Sequence, residues 1–303
     1  MIEGDAWFEG FDARRVDVGE ASIFLRAGGN PDRPALVLLH GFPQSHVMWH
    51  RVARQLAGEF WIVMPDLRGY GDSSSPPGEA DHSNYSKRAM ANDVIAVMDD
   101  LGRDRFFVCG HDRGGRVAHR LSLDHADRVE RLCVVDIAPT LDMYDRTDMA
   151  FARAYYHWFF LIQRSPLPER MIAADAQWYL STLLGGWGSN GLAHIEPSAL
   201  AEYRRCFTPE TIHAMCEDYR ASAGIDLDLD REGRQRGDKL GCPVHVLWGT
   251  RGVIERFYDP IALWQQQSVL PVTGSAMQGG HFLPEELPEQ TVAELRRFFG
   301  AGS

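Results

Sequence analysis

The 303-residue sequence lacks long apolar runs and paired cysteines. No stretch reaches the roughly 18 uninterrupted apolar residues that a membrane-spanning helix requires, so we expect no membrane partner. The five cysteines are odd in number and form no CxxC pair, which argues against a disulfide scaffold and against a zinc site. The acidic amino-terminal stretch lacks the apolar core of a signal peptide, so a reducing, cytoplasmic location is expected.

Basic residues are also fewer than acidic residues. The 31 Lys and Arg residues face 42 Asp and Glu residues, and the net charge is −11. Because nucleic acids are bound largely through Lys and Arg, a nucleic-acid partner is not expected. The hydrophobic fraction of 45% and the aromatic fraction of 11% exclude disorder as a description of the whole chain.

Short apolar runs alternate with helical patterns through the first half of the chain. The predicted strands are Ala21–Ala27, Ala35–Leu39, Trp61–Met64, Arg105–Cys109 and Arg131–Val135. The helical patterns between them are Asn84–Leu101 and Arg116–His125. Strand, helix and strand at this spacing predict an α/β fold with a doubly wound, mostly parallel sheet.

The alternation stops at about residue 141 and returns after about residue 230. The predicted helices of this aromatic-rich stretch are Phe151–Ile162, Glu169–Leu184 and Ser198–Ala221. Later elements are the strands Pro243–Trp248 and, weakly, Ser268–Thr273, and the helix Glu289–Phe299. We therefore predict an α/β core of residues 1–140 and 231–303 and a helical lid (cap) of residues 141–230. Such a lid would cover the carboxyl ends of the strands, where open α/β sheets bind ligands.

A Gly-x-Asp-x-Gly turn joins a predicted strand to a predicted helix at Gly110, Asp112 and Gly114. This layout is that of a nucleophile elbow with Asp in place of the usual Ser. A serine that attacks a saturated carbon leaves an ether, whereas a carboxylate leaves an ester that water can remove. Asp112 therefore predicts displacement of a halide or an epoxide oxygen from a saturated carbon. The alternative is a glycine-rich turn whose Asp caps a helix.

Partners for such a nucleophile follow from position along the chain. The backbone N–H groups of Phe42, in a turn after a strand, and of Arg113 are the predicted oxyanion donors. His281 follows two glycines and the last predicted strand, where the general base belongs. The acid that orients this base is Asp136 or Glu255, and Asp136 is favoured because it directly ends a predicted strand.

Two arginines, Arg113 and Arg116, flank the predicted nucleophile. Two guanidinium groups exceed what one carboxylate needs, and Arg grips a carboxylate as a two-pronged fork. The pair therefore favours a small substrate with its own carboxylate. The alternative is that Arg116 merely pairs with Asp112 or with an acidic surface residue.

Eight segments between residue 35 and the end carry a family resemblance. They are HGFP (His40–Pro43), DLRGYGDS (Asp66–Ser73), GHDRGGR (Gly110–Arg116), VVDIAPT (Val134–Thr140), HWFF (His157–Phe160), GGWG (Gly185–Gly188), DYRA (Asp218–Ala221) and GGHF (Gly279–Phe282). Together they resemble the fluoroacetate dehalogenases of the α/β-hydrolase superfamily. The first two segments are general to epoxide hydrolases and dehalogenases, whereas the combination of GHDRGGR, HWFF and DYRA is more specific.

The resemblance implies an α/β-hydrolase fold and the hydrolysis of fluoroacetate or chloroacetate to glycolate and halide. It implies that Asp112 is the nucleophile, His281 the base and Asp136 the acid. Arg113 and Arg116 would hold the substrate carboxylate. The resemblance implies a homodimer, and it implies no metal or organic cofactor.

The resemblance further implies a halide pocket lined by His157, Trp158 and Tyr219. Fluoride is a poor leaving group and a strong hydrogen-bond acceptor. An imidazole N–H, an indole N–H and a phenol O–H are three donors suited to solvating it as it departs.

Other functions use parts of the same pattern. An epoxide hydrolase would use the same three catalytic groups, with two of Tyr155, Tyr156 and Tyr219 donating to the epoxide oxygen. A haloalkane dehalogenase is disfavoured because that family typically has Trp at the position of Arg113. A non-catalytic receptor is disfavoured because a pure binder needs no base.

Overall fold

The computed structural model describes residues 7–300, which contain a single eight-stranded sheet. Its strands are β1 (Phe11–Asp17), β2 (Ser22–Gly29), β3 (Ala35–Leu39), β4 (Trp61–Pro65), β5 (Phe106–His111), β6 (Val129–Val135), β7 (Val244–Gly249) and β8 (Thr273–Met277). Their order across the sheet is β1-β2-β4-β3-β5-β6-β7-β8. The β1–β2 and β2–β4 pairs are antiparallel and all other pairs are parallel. The prediction of a doubly wound, mostly parallel α/β sheet is confirmed.

Fifteen α-helices occur in the described residues, in addition to short 3-10 turns. They are α1 (His50–Leu56), α2 (Lys87–Asp100), α3 (Arg113–Asp124), α4 (Thr140–Asp145), α5 (Met149–Ala154), α6 (Tyr156–Phe160), α7 (Leu167–Ala173), α8 (Ala176–Leu184), α9 (Pro197–Cys206), α10 (Pro209–Ala223), α11 (Ile225–Arg236), α12 (Val253–Phe257), α13 (Pro260–Gln266), α14 (Leu283–Glu286) and α15 (Pro288–Gly300). None of these helices is long and apolar enough to cross a lipid bilayer.

The burial of each strand explains whether the sequence predicted it. Every residue of β3 and β5 is buried, as expected for parallel strands covered on both faces. Strand β1 was not predicted, because only Phe11 and Val16 of its seven residues are buried and the rest face solvent. The last predicted strand, Ser268–Thr273, is wrong in position, since β8 begins only at Thr273. Four of the five residues of β8 are at least partly exposed, so its sequence has little apolar signal.

The stretch between β6 and β7 contains helices α4 to α11 and no strand among its residues. Each long helix predicted there is split in two. Asp175 caps α8 by accepting the Trp178 N–H, and Thr208 caps α10 ahead of Pro209. Such caps begin new helices. Tyr155, with φ of −114° and ψ of 46°, separates α5 from α6.

The predicted lid boundary at residue 230 falls inside helix α11, and α4 already begins at Thr140. The division into a core of residues 1–140 and 231–303 and a lid of residues 141–230 therefore stays a prediction. What the fold does establish is that this helical stretch leaves the sheet after β6 and returns to it at β7.

Candidate active site

Asp112 occupies a sharp turn between β5 and α3. Its φ of 45° and ψ of −113° lie outside the usual regions for a side-chain-bearing residue. The turn depends on its glycines, because a Cβ on Gly114 would lie 2.4 Å from the carbonyl oxygen of His40. A Cβ on Gly110 would lie 2.3 Å from the carbonyl oxygen of Gly114. The strained turn thus holds the Asp112 carboxylate at the carboxyl end of the sheet.

The loop after β3 approaches this carboxylate from the side. The backbone N–H of Phe42 donates to Oδ2 of Asp112 at 3.1 Å, which places one predicted oxyanion donor on the predicted nucleophile. A Cβ on Gly41 would come within 2.7 Å of the Asp112 Cβ, so this approach requires glycine there. Arg113, the other predicted donor, directly follows Asp112 as the first residue of α3.

His281 and Asp136 are joined by a hydrogen bond of 2.6 Å from Nδ1 to Oδ2. The other carboxylate oxygen of Asp136 accepts the Gly249 N–H at 2.9 Å, at the end of β7. Both side chains are buried. Glu255 is exposed, and its carboxylate accepts the indole N–H of Trp248. The structure therefore brings Asp136, and not Glu255, to the imidazole.

Charges at the site set the protonation of the two central groups. Burial by itself would raise the pKa of Asp112, but the charges of His281 and Arg116 lower it below its usual value. Burial by itself would lower the pKa of His281, but the hydrogen bond to Asp136 and the charges of Asp136 and Asp112 raise it. Asp112 is therefore ionised near neutral pH, and His281 binds a proton more readily than a free histidine.

The helical stretch between β6 and β7 contacts His281 through Trp187, whose carbonyl oxygen accepts the His281 N–H at 3.1 Å. The Trp187 ring centroid lies 4.6 Å from that of His157 and 5.3 Å from that of His281. On the core side, His111 Nε2 donates to the His281 carbonyl oxygen at 2.8 Å. The backbone of His281 is thus held from both sides.

Arg113 is fully buried and forms a fork with Asp218 of helix α10. Nε donates to Oδ2 at 2.9 Å and Nη2 donates to Oδ1 at 2.5 Å. Asp218 also accepts from the Tyr70 hydroxyl at 2.6 Å and from Lys87. Burial opposes ionisation, yet the charges of Arg113 and Lys87 hold the pKa of Asp218 well below its usual range. The third guanidinium nitrogen, Nη1 of Arg113, is buried and has no hydrogen-bond partner among residues 7–300.

Arg116 makes no ion pair within 4.0 Å among residues 7–300, although its charge interacts with that of Asp112. Its Nη1 donates to the Thr140 hydroxyl at 2.9 Å, and its guanidinium lies 4.7 Å from the Trp158 ring centroid. Its Nε is buried and has no hydrogen-bond partner.

The three residues of the implied halide pocket are all buried, and two of them meet at Phe42. The His157 ring stacks on Phe42 at 5.7 Å between centroids, and the Tyr219 ring meets it edge-on at 5.2 Å. The pKa of His157 is lowered to about 3, chiefly by burial, so its imidazole is neutral and carries one N–H. Trp158 lies over Arg116 and stacks on Tyr155, whose ring also meets that of His157.

Several buried polar atoms of this region have no hydrogen-bond partner among the described residues. They are Arg113 Nη1, Arg116 Nε, His157 Nδ1, Tyr219 Oη and Tyr144 Oη. Buried polar atoms in proteins are nearly always hydrogen-bonded, so a group of unpaired ones is unusual. All five of these side chains interact electrostatically with Asp112 or with one another. The arrangement suits a small ligand that is rich in acceptors.

Sequence reasoning did not single out Asp218, although the DYRA segment contained it. The signal was indirect: an Arg beside the elbow, inside an apolar region, requires a buried carboxylate partner. That partner lies 105 residues away along the chain, where spacing gives no guide.

One group with metal-ligand spacing occurs in residues 7–300, formed by Glu169, His213 and Glu217. Arg220 already donates to both carboxylates, at 2.9 and 2.6 Å. The guanidinium already balances the charge of these carboxylates, so the group is an ion-pair cluster around Arg220.

Comparison with known proteins shows which family the chain belongs to. The family described as alpha/beta hydrolase fold matches residues 34–251. The chain belongs to the α/β-hydrolase family. A fluoroacetate dehalogenase of Burkholderia sp. is 45% identical over 96% of this chain and 94% of its own length. The predicted resemblance to the fluoroacetate dehalogenases is thereby confirmed, as is the prediction of an enzyme.

Two further proteins show how widely the similarity extends. A soluble epoxide hydrolase of Corynebacterium sp. (strain C12) is 34% identical over 87% of this chain and 89% of its own length. A crystal structure of a protein from Nostoc sp. PCC 7120, titled as an alpha/beta hydrolase, is 52% identical and superposes with a TM-score of 0.93. That likeness covers 96% of this chain and 99% of the Nostoc chain.

Proposed function

We propose that this α/β hydrolase converts haloacetates, fluoroacetate or chloroacetate, into glycolate and halide through an ester on Asp112. The observation that carries the proposal is the group of unpaired, buried polar atoms around an ionised carboxylate in the elbow. Spare guanidinium N–H groups on Arg113 and Arg116 suit a substrate that brings its own carboxylate. The Burkholderia relative of this chain is named for the same reaction class.

In the first step the Asp112 carboxylate attacks the carbon that bears the halogen. Oδ2 accepts the Phe42 N–H, so Oδ1 is the oxygen that forms the new C–O bond. The carbon–halogen bond breaks, and the halide leaves with its electron pair. Arg113 Nη1 and Arg116 Nε hold the substrate carboxylate and thereby fix the direction of attack.

The departing halide requires hydrogen-bond donors, which the neutral His157 and the hydroxyl of Tyr219 supply. Both lie against Phe42 and so against the loop beside the nucleophile. The indole N–H of Trp158 is the third donor of the proposed pocket. Donors fixed in advance at the site of developing charge need no reorganisation as the bond breaks.

In the second step neutral His281 takes a proton from water at Nε2, because Nδ1 donates to Asp136. The hydroxide attacks the Asp112 carboxyl carbon, and the Phe42 N–H, together with that of Arg113, stabilises the oxyanion at Oδ2. Collapse expels glycolate, which takes the proton from His281. The regenerated carboxyl of Asp112 releases one proton to solvent, which balances the released halide.

The direct test measures halide release from fluoroacetate and from chloroacetate with an ion-selective electrode. Many turnovers in H₂¹⁸O should place label in the Asp112 carboxylate, because water attacks that carbon. The absence of halide release, together with conversion of styrene oxide to its diol, would refute haloacetate hydrolysis.

Epoxide hydrolysis is the second candidate, favoured by two buried tyrosines, Tyr155 and Tyr219, whose hydroxyls interact with the Asp112 charge. Tyr156, offered for the same role, is 43% exposed. A neutral epoxide would leave the spare N–H groups of Arg113 and Arg116 unpaired, so the haloacetate proposal accounts for more of the site.

A cytoplasmic location and a homodimeric state belong to the proposal as well. Equilibrium sedimentation measures the second, and a monomer at micromolar concentration would contradict it.

A further inference from the structure

Glu286, which the proposed mechanism does not use, holds both sides of the loop that carries His281. Its Oε2 accepts the N–H of Gly280 at 2.8 Å, and its Oε1 accepts the N–H of Phe282 at 3.0 Å. The carboxylate therefore brackets the base, with one oxygen on each neighbouring peptide group. The Glu286 side chain is only 6% exposed, so water competes little for these bonds.

The same carboxylate joins the base loop to two other parts of the molecule. Ser189, in the stretch between β6 and β7, donates its hydroxyl to Oε1 at 2.8 Å. Arg251, after β7, donates from Nη2 to Oε2 at 3.1 Å and from Nε to the Gly188 carbonyl oxygen at 3.2 Å. Each oxygen of Glu286 thus accepts two hydrogen bonds.

Three consecutive N–H groups, those of residues 280, 281 and 282, are consequently all occupied. The outer two bind Glu286, and the middle one binds the carbonyl oxygen of Trp187. Gly280 is needed for this arrangement, because a Cβ there would lie 2.6 Å from the backbone nitrogen of Ser189. These contacts fix the backbone on both sides of His281.

We propose that Glu286 is a positioning residue for His281, and that it acts on ester hydrolysis and not on ester formation. The inference rests on the proposed function, since it requires an ester on Asp112 and His281 as the base. Attack of Asp112 on the substrate needs no base, so displacement of the imidazole affects only the second step. A purely structural role would instead slow both steps or lower stability alone.

The test separates the two steps in rapid-quench experiments with chloroacetate. Halide release reports ester formation, and the intact mass of the quenched protein reports decay of the ester. In Glu286→Gln an amide N–H₂ replaces one acceptor oxygen and faces a peptide N–H. We expect ester decay to slow by on the order of 10²-fold, the effect of a misplacement of about 1 Å, with formation unchanged.

Glu289→Gln is the matched control, because Glu289 is an exposed carboxylate in the first turn of α15, three residues away. It removes the same charge without touching the base loop, so both rate constants should equal those of the unmodified protein. Ser189→Ala removes one bond to Glu286 and should slow ester decay selectively, by a smaller factor than Glu286→Gln.

Equal slowing of both steps in Glu286→Gln, or no slowing of either, overturns the positioning role. If Glu286→Gln does not fold, Ser189→Ala decides: selective slowing of ester decay supports the role, and unchanged decay overturns it. Absence of any ester, even in His281→Asn, overturns the proposed function instead. The two failures are therefore distinguishable.

Discussion

At the scale of single residues, His281 must be neutral to act, although its surroundings favour the cation. The pKa of His281 is raised above its ordinary value of 6.5 by Asp136 and Asp112, which outweigh burial. A base with a raised pKa is protonated, and inactive, over a wider range of acidic pH. The rate of ester decay should therefore fall as pH decreases through the pKa of His281, which Asp136 still raises in the ester, where Asp112 no longer carries a charge.

The rate of ester formation provides the internal control for this prediction. It depends on the ionised Asp112, whose pKa is lowered, so it should stay constant through the same pH range. Both rates are measurable by rapid quench at each pH. The absence of an acid limb in ester decay, or an identical limb in both steps, would contradict the assignment of His281 as base.

The two arginines should respond differently to removal, although the sequence offered them as a pair. Arg116→Ala removes charge-assisted bonds to the substrate, worth about 1.5–3 kcal/mol, and should lower kcat/KM for haloacetates by roughly 10- to 100-fold. Arg113→Ala also strips a guanidinium from the buried Asp218, which should cost about 3–5 kcal/mol of stability. Steady-state kinetics and urea unfolding measure the two effects. Normal haloacetate kinetics in both variants would exclude a role in binding the substrate carboxylate.

Spacing along the chain was enough to single out Asp112, Asp136 and His281 as candidates, because each directly follows a strand or a glycine pair, and their catalytic roles stay a proposal. Spacing along the chain did not single out Asp218 or Glu286. These carboxylates act by what they contact across the tertiary structure, and an isolated Glu or Asp on a helix has no sequence pattern of its own.

At the scale of elements, helix α3 packs directly on the end of strand β3. A Cβ on Gly114 would lie 2.4 Å from the His40 carbonyl oxygen and 2.6 Å from that of Leu39. Both are backbone atoms with little freedom to move, so Gly114→Ala should destabilise the fold by about 1–3 kcal/mol or more. Gly58→Ala is the control, since nothing lies within 4 Å of a Cβ there. Equal urea midpoints for the two variants would refute the close packing of α3 on β3.

Element prediction from the sequence succeeded where burial was complete and failed where it was partial. Strands β3, β4 and β5 were predicted close to their observed bounds because their residues are almost wholly buried. The polar edge strand β1 and the short, largely exposed β8 were missed or displaced. Single long helices were predicted where Asp175 and Thr208 begin second helices by capping them. The apolar periodicity continues across each cap, so the break is visible only in the backbone structure.

At the scale of the whole molecule, a buried charge network ties the first residue of α2 to helices α10 and α11. Lys87 contacts Asp218 and lies 3.5 Å from Oδ2 of Asp226, and all three side chains are buried. Lys87→Met should therefore cost about 3–5 kcal/mol, because it leaves a carboxylate buried without its cation. The measurement is urea unfolding of the full chain.

Two companion variants make this prediction specific. Adding Asp226→Asn to Lys87→Met removes the uncompensated charge and should restore part of the lost stability. Arg88→Met breaks the neighbouring but half-exposed pair with Asp124 and should cost less than about 1 kcal/mol. A loss in Lys87→Met no larger than in Arg88→Met would show that the network contributes little.

Three supports of the reaction centre are main-chain groups: the N–H of Phe42 on Asp112, the N–H of Gly249 on Asp136, and the carbonyl of Trp187 on His281. A change of side chain cannot delete a carbonyl and, proline aside, cannot delete an N–H. Substitutions of side chains that line the site but take no part in the proposed reaction can thus alter which molecules enter while these three supports remain in place. In an enzyme built this way, new substrate preferences are accessible through single inherited substitutions.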